Sequence, residues 1–173
     1  MLALFCSANL AADETDISYR LKFGGWSKHL EPLDEITKED ITYNETHNGL
    51  GLERIVRNKT TGRYWGGGGM YMKDSYDQHA LTLGANYGYS WELDDFELSV
   101  GMAAGVQFRS YIKTYNRKFD SIKRSAVPFV VPEVTASYKG LGASLIVFPH
   151  VEKVNDGLKM GKPVLFLQTF YNF

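Results

Sequence analysis

The run Phe96-Glu97-Leu98-Ser99-Val100-Gly101-Met102-Ala103-Ala104-Gly105-Val106-Gln107-Phe108-Arg109 decides the fold. Drawn out as a strand, it puts Phe96, Leu98, Val100, Met102, Ala104, Val106 and Phe108 on one face. Glu97, Ser99, Gly101, Ala103, Gly105, Gln107 and Arg109 fall on the other. Period-2 alternation of this kind marks a β-strand with one apolar side. The polar face carries charge and the apolar face carries large side chains. That combination suits a barrel whose outside meets hydrocarbon and whose lumen is polar. A soluble barrel would not place Phe, Leu, Val and Met outside with Glu, Arg and Gln inside.

The same alternation recurs on both sides of this run. In Asp16 to Ser27, Ile17, Tyr19, Leu21 and Phe23 oppose Ser18, Arg20, Lys22 and Gly24. In Ala80 to Glu92, Leu81, Leu83, Ala85, Tyr87, Tyr89 and Trp91 oppose Thr82, Gly84, Asn86, Gly88, Ser90 and Glu92. Tyr43 to Arg57, Arg63 to Lys73, Ser125 to Tyr138, Leu141 to Pro149 and Lys162 to Phe173 complete a set of eight strands. Short turns are expected at 58–62, at Asp94-Asp95 and at Lys139-Gly140. Longer loops are expected at 30–42, 110–124 and 150–161, and a polar tip at 74–79. The fold class that follows is all-β: an eight-stranded antiparallel transmembrane β-barrel of the bacterial outer-membrane type. Lipid offers no partner to an open sheet edge, so such a sheet must close. The terminal Phe173, with alternation before it, resembles the assembly signal of these barrels.

Composition agrees. The chain has 173 residues, one domain's worth, and a net charge of −1 that gives no reason to expect a nucleic-acid partner. Mean hydropathy is −0.26 and no apolar run is long enough for a spanning helix. The 11 Tyr, 10 Phe and 3 Trp with 17 Gly suit many strands, tight bends and interfacial aromatic girdles. Residues 1–12 read as the remnant of a signal peptide, apolar at Leu2 to Phe5 and small-residue at Ala11-Ala12. The single cysteine, Cys6, lies within it, so the barrel domain, 13–173, has no disulfide framework. The four histidines show no metal-ligand spacing, and no cofactor is implied.

Depth along the strands sorts the lumen. Toward the turn end it collects Arg20, Lys22, Glu53, Glu92, Glu97, Glu133 and Gln168, which must pair with one another once buried. Toward the loop end it collects Ala80, Gly84, Ala103, Phe129, Val131, Ile146, Phe148 and Phe166. His47, Tyr71 and Lys73 interrupt the apolar set on one side. An apolar well above a polar floor suits an acyl chain; the competing reading is a lumen filled by its own side chains, because eight strands leave little room. Pro128, Pro132 and Pro149 lie near the loop end of neighbouring strands, where each removes a ladder hydrogen bond. Local opening there would give a lipid tail a sideways route into the lumen.

Trp26-Ser27-Lys28-His29, Tyr43-Asn44-Glu45, Lys73-Asp74-Ser75-Tyr76, Tyr87-Gly88-Tyr89-Ser90-Trp91, Ala104-Gly105-Val106 and Pro128-Phe129-Val130-Val131-Pro132 follow one another in the chain. In that order they resemble the outer-membrane lipid A palmitoyltransferases, the PagP family. The resemblance implies an enzyme of the bacterial cell outer membrane that moves a palmitoyl-type chain from a glycerophospholipid donor to lipid A. It implies a monomer with His29, Asp74 and Ser75 as catalytic residues on the external rim. It makes Gly88 the counterpart of a lumen-floor glycine that sets acyl length, with Gly84 as rival, beside the lipid's route already read at Pro128 and Pro149. His47 stands as a rival to His29. The chemistry suits the residue types: an imidazole as base, a carboxylate to orient it, and a hydroxyl as nucleophile or donor. Adjacent Asp74 and Ser75 point to opposite faces of an extended tip, so no protease-like triad is expected. The family's short amphipathic N-terminal helix and first-strand proline have no counterpart, and Gly24-Gly25 stands in the proline's region. The basic residues of 110–124 suit lipid phosphates or plain solvation. The alternative function is a non-catalytic small outer-membrane barrel: an adhesion or anchor protein, or a narrow channel.

Overall fold

The structure is a computed structural model that describes residues 14–30, 42–115, 118–149, 151–154, 157–160 and 162–173. The expected signal remnant at 1–12 and most of the loop at 30–42 lie outside the described residues. The described residues form β1 (Thr15–His29), β2 (Thr46–Asn58), β3 (Arg63–Lys73), β4 (His79–Leu93) and β5 (Phe96–Tyr115). They continue as β6 (Lys118–Tyr138), β7 (Leu141–Phe148), β8 (Val151–Val154), β9 (Gly157–Met160) and β10 (Val164–Asn172). Eight of these close into an antiparallel barrel in the order β1-β10-β7-β6-β5-β4-β3-β2. β8 and β9 pair only with each other.

Closure is made where β1 meets β10. Tyr19 and Phe173 exchange both backbone hydrogen bonds, each 2.8 Å, and their rings stack. The wall is inside out relative to a soluble protein. Leu50, Leu52, Leu83, Met102, Val130 and Leu145 are exposed, while Arg20, Glu53, Glu133 and Gln168 are buried. Exposed aromatics gather at two heights. Tyr19, Trp65, Tyr87, Tyr89, Trp91, Tyr138 and Tyr171 ring the turn end, and Trp26, Tyr71 and Phe108 ring the loop end. An aliphatic belt between two aromatic girdles is the surface a bilayer requires.

The buried charges form the expected plug, except that Glu133 is buried without an ion pair among the described residues. Glu53 accepts from Asn86 Nδ2 at 2.8 Å and faces Lys22 Nζ at 3.2 Å and Arg20 Nη1 at 3.6 Å. Arg20 also donates to Asn172 and lies 4.1 Å from the centre of the Phe170 ring. Below them Arg57 bonds both Glu92 and Glu97, a connection the sequence reading omitted. Gly66 and Gly68, the lumen-facing glycines of β3, make room for this cluster. A Cβ on Gly68 would stand 2.2 Å from the Leu52 carbonyl oxygen, and one on Gly66 would meet Asn86 Oδ1 at 2.4 Å.

Three expectations need correction. The segment 110–124 is not a loop: β5 and β6 stay paired through Ser110↔Arg124, Ile112↔Ile122 and Tyr115↔Lys118. Its β-branched and aromatic residues keep the chain extended, and the lysines and arginines that read as loop are compatible with a strand outside the bilayer. The segment 150–161 holds the β8–β9 hairpin. Tyr71 faces outward, and its neighbours Met70 and Met72 face the lumen, so this side is more apolar than expected.

Glu53→Ala removes the carboxylate that pairs with Arg20 and Lys22. The expected outcome is a loss of about 3–5 kcal/mol, measured by reversible urea unfolding from detergent micelles or lipid vesicles.

Candidate functional site

At the rim, one bulge decides which residues of β1 face inward. Pairing of β1 slips between Phe23 and Gly25 against β2, and between Lys22 and Gly25 against β10. Before the slip the inward residues are Arg20 and Lys22; after it they are Ser27 and His29, with Trp26 turned to the outside. Without the bulge, alternation would place Lys28 inward and His29 outward. The Gly24-Gly25 pair is its sequence signal. A Cβ on Gly24 would come within 2.1 Å of the His47 carbonyl oxygen, so only glycine fits.

His29 therefore reaches the tip between β3 and β4, where its Nε2 lies 3.1 Å from Ser75 Oγ, 46 residues away in sequence. The imidazole is held by a ring stacked on it, Tyr43, at 3.7 Å between centroids and 9° between planes. Tyr43 in turn lies 6.0 Å from Tyr76. Burial pushes the Tyr76 phenol up to about 12, with Tyr43 adding to the shift and Arg109 opposing it, so this hydroxyl keeps its proton at any working pH.

Asp74 does not touch His29. Its Oδ1 accepts from the backbone N–H groups of Tyr76 and Gln78, both at 2.9 Å, and its Oδ2 accepts from Ser110 N–H at 2.9 Å. The carboxylate thus shapes the tip and ties it to β5, and Ser75 points away from it toward His29. Asn44 completes the fixture: its N–H donates to the Ser75 carbonyl at 2.8 Å and its Nδ2 to the Asp74 carbonyl at 3.3 Å. Asp77 turns the chain with φ of 57°. The arrangement is a His–Ser pair with its serine placed by a carboxylate-anchored turn, not a triad.

His47 lies deeper and is fully engaged. Its Nδ1 faces the Lys73 carbonyl at 2.8 Å and must donate there, so its Nε2 accepts from Ser27 Oγ at 2.7 Å. It staples β1, β2 and β3 beneath the rim and is not the histidine that meets Ser75.

Below the rim lies a cavity of about 80 Å³. Its walls are Met70, Met72, Gly84, Ala103, Phe129, Val131, Ile146, Phe148 and Phe166; Lys22, Glu53, Asn86, Glu133 and Gln168 line its polar end. Gly84 belongs to it. Gly88 does not: it lies lower, where a Cβ would meet the Val100 carbonyl oxygen at 2.2 Å and the Tyr64 ring at 3.0 Å. Met70 and Met72 went unnoticed in the sequence because the surrounding glycines hid the register of β3.

The wall beside the cavity is open on one side. Pairing between β6 and β7 ends at Glu133↔Ile146, while β6 stays paired with β5 through Met102↔Pro132 and Val106↔Pro128. The hydrogen bonds that Pro132 and Pro128 cannot donate are thus missing on the β7 side. β7 keeps its other neighbour up to Val164↔Phe148, and Pro149 follows directly. Pro128 faces outward at this gap, and Pro149 is exposed at its upper edge. Among the described residues no cluster of potential metal ligands occurs.

No protein-family model matches the sequence, and no curated protein matches it. Solved structures match by fold. One is the N-terminal β-barrel domain of Pseudomonas aeruginosa OprF, 12% identical, covering 91% of this chain and 97% of that one, with a TM-score of 0.51. Another is Ail, the attachment invasion locus protein of Yersinia pestis, 12% identical, covering 92% and 97%, with a TM-score of 0.40. The fold is that of the small eight-stranded outer-membrane barrels.

Asp74→Ala removes the acceptor from three backbone amides. The expected result is a loss of about 2 kcal/mol and faster hydrogen exchange at Tyr76, Gln78 and Ser110. Unchanged exchange at those three amides would refute the anchoring role.

Proposed function

We propose that this chain is an outer-membrane acyltransferase that moves a palmitoyl-type chain from a glycerophospholipid to lipid A, acting as a monomer in the bacterial outer membrane. The observation that carries the reading is the His29–Ser75 contact, 3.1 Å, at the mouth of an apolar cavity beside an unpaired stretch of wall. A donor lipid enters sideways between β6 and β7 and lays one acyl chain among Phe129, Val131, Ile146 and Phe166. Its ester then stands at rim height. His29 Nε2 takes the proton of the attacking hydroxyl, either that of Ser75 or that of the acceptor oriented by Ser75, and returns it to the leaving glycerol oxygen. Asp74 acts through the position of Ser75. Lipid A, which shares the outer leaflet, takes the acyl group.

A second reading, a barrel with no catalysis, is favoured by the fold comparison: the OprF barrel is described as a domain, not as an enzyme. Of its forms, the narrow channel is least suited, because Glu53, Arg20, Lys22 and Arg57 with its two glutamates cross the lumen.

Mass spectrometry of lipid A from cells expressing the protein separates the two. The expected outcome is a product heavier by one acyl chain, lost on His29→Ala and Ser75→Ala and retained in large part on His47→Gln. Unmodified lipid A in cells holding correctly inserted protein establishes the second reading. Cavity depth supplies a further expectation. Gly84→Met, which fills space beside Phe129 and presses on the Ala104 carbonyl oxygen, shortens the chain transferred at some cost in stability, whereas Gly88→Ala, outside the cavity, lowers stability without changing chain length.

A further inference from the structure

The β5–β6 ladder continues the cavity wall upward past its mouth. On β5 the lumen-facing residues rise through Ala103, Gly105 and Gln107, and the next on that face is Arg109. On β6 they rise through Val131 and Phe129, and the same face then carries Val127, Ser125 and Lys123. Register sets Arg109 opposite Ser125 and Tyr111 opposite Lys123, so the two cations are diagonal neighbours on one face. Both are exposed, and among the described residues neither has an ion-pair partner. Asp74, a carboxylate of the tip, is committed to three backbone amides. One of these, Ser110 N–H, directly follows Arg109 and fixes it beside Tyr76.

We propose that Arg109 and Lys123 bind the phosphate of a glycerophospholipid whose acyl chain occupies the cavity. The inference rests on the donor-lipid part of the reading above and does not depend on acyl transfer. The guanidinium offers a planar fork for two phosphate oxygens, and the lysine adds a point charge. Two residues of strand span roughly 7 Å, so a phosphate held by Arg109 stands a glycerol's length above a chain that begins at Gln107. Such a lipid has its ester near Tyr76, which adjoins Ser75. The gap between β6 and β7 lies on the flank of the same ladder, so the headgroup travels along the rim while the tail passes through the wall.

The test uses the full chain in neutral-detergent micelles and native mass spectrometry. Dipalmitoylphosphatidylglycerol and dipalmitoylglycerol have the same tails and differ in the phosphodiester. The wild-type barrel is expected to bind the former at least tenfold more tightly. Arg109→Gln with Lys123→Gln removes that preference, and Arg109→Lys with Lys123→Arg retains most of it. No preference in the wild type, or one unchanged in the doubly neutral variant, overturns the proposal. A further arm compares bisphosphorylated with monophosphorylated lipid A. If the neutral variant loses only the preference for the bisphosphorylated form, the cations serve the acceptor and the donor assignment falls. Failure of the enzyme reading is separate: phosphatidylglycerol preference without acyl transfer leaves this inference standing. Transfer with an unchanged KM for phosphatidylglycerol in the neutral variant sinks this inference alone.

Discussion

Backbone closure is the constraint on which the rest depends. In hydrocarbon an unpaired N–H or C=O has no water to turn to, so β1 must find β10, and the Tyr19–Phe173 exchange makes that seam. Once the sheet is a tube, every strand has one side in lipid and one in a narrow lumen. The alternation of Phe96 to Arg109 then becomes a division between environments rather than a preference. Closure also makes β1, β2 and β3 adjacent, and this is why His29 and Ser75, distant in sequence, share one edge of the rim. The charged plug follows in turn: Arg20, Lys22 and Glu53 are tolerable because the lumen excludes lipid and lets them meet.

Against that constraint, the break between β6 and β7 is informative. A closed tube gains nothing in stability from leaving ladder bonds unmade, and Pro128 and Pro132 leave them unmade on the same side. The tether to β5 is intact across both prolines, so β6 does not peel away; it presents an unpaired edge next to the apolar cavity. Elsewhere the rim is tied down. His47 links Ser27 to the Lys73 carbonyl, and Asp74 links its own tip to β5. The wall is thus stapled under the His–Ser pair and unpaired on the far side, between β6 and β7.

Much of the fold was legible because alternation is a local signal and the lumen repeats it on strand after strand. The side of each residue in β4 and β5 follows from counting. What counting missed came from places where the period breaks or is hidden. The bulge at Gly24-Gly25 shifts the parity of β1, so the inward aim of His29 does not follow from Arg20 and Lys22. The glycines of β3 carry no side-chain pattern, which left Tyr71 on the wrong face and Met70 and Met72 unseen. Charge disguised the upper parts of β5 and β6, since a strand outside the bilayer has no need of an apolar face. The site was legible as residue types at a tip and a strand end. Its geometry was not, because the partner of Asp74 is backbone, and backbone amides leave no mark in a sequence.

That last point bears on how the acid should be understood. Asp, Ser and His at one rim invite a relay, yet a carboxylate that accepts three amide hydrogen bonds has little capacity left for an imidazole. Its contribution is geometric: it bends the tip so that Ser75 projects over the lumen at the height of His29. The orienting partner of His29 is instead the Tyr43 ring, stacked at 3.7 Å. A stacked ring fixes the plane of the imidazole. That plane turns Nε2 toward Ser75 Oγ, 3.1 Å away.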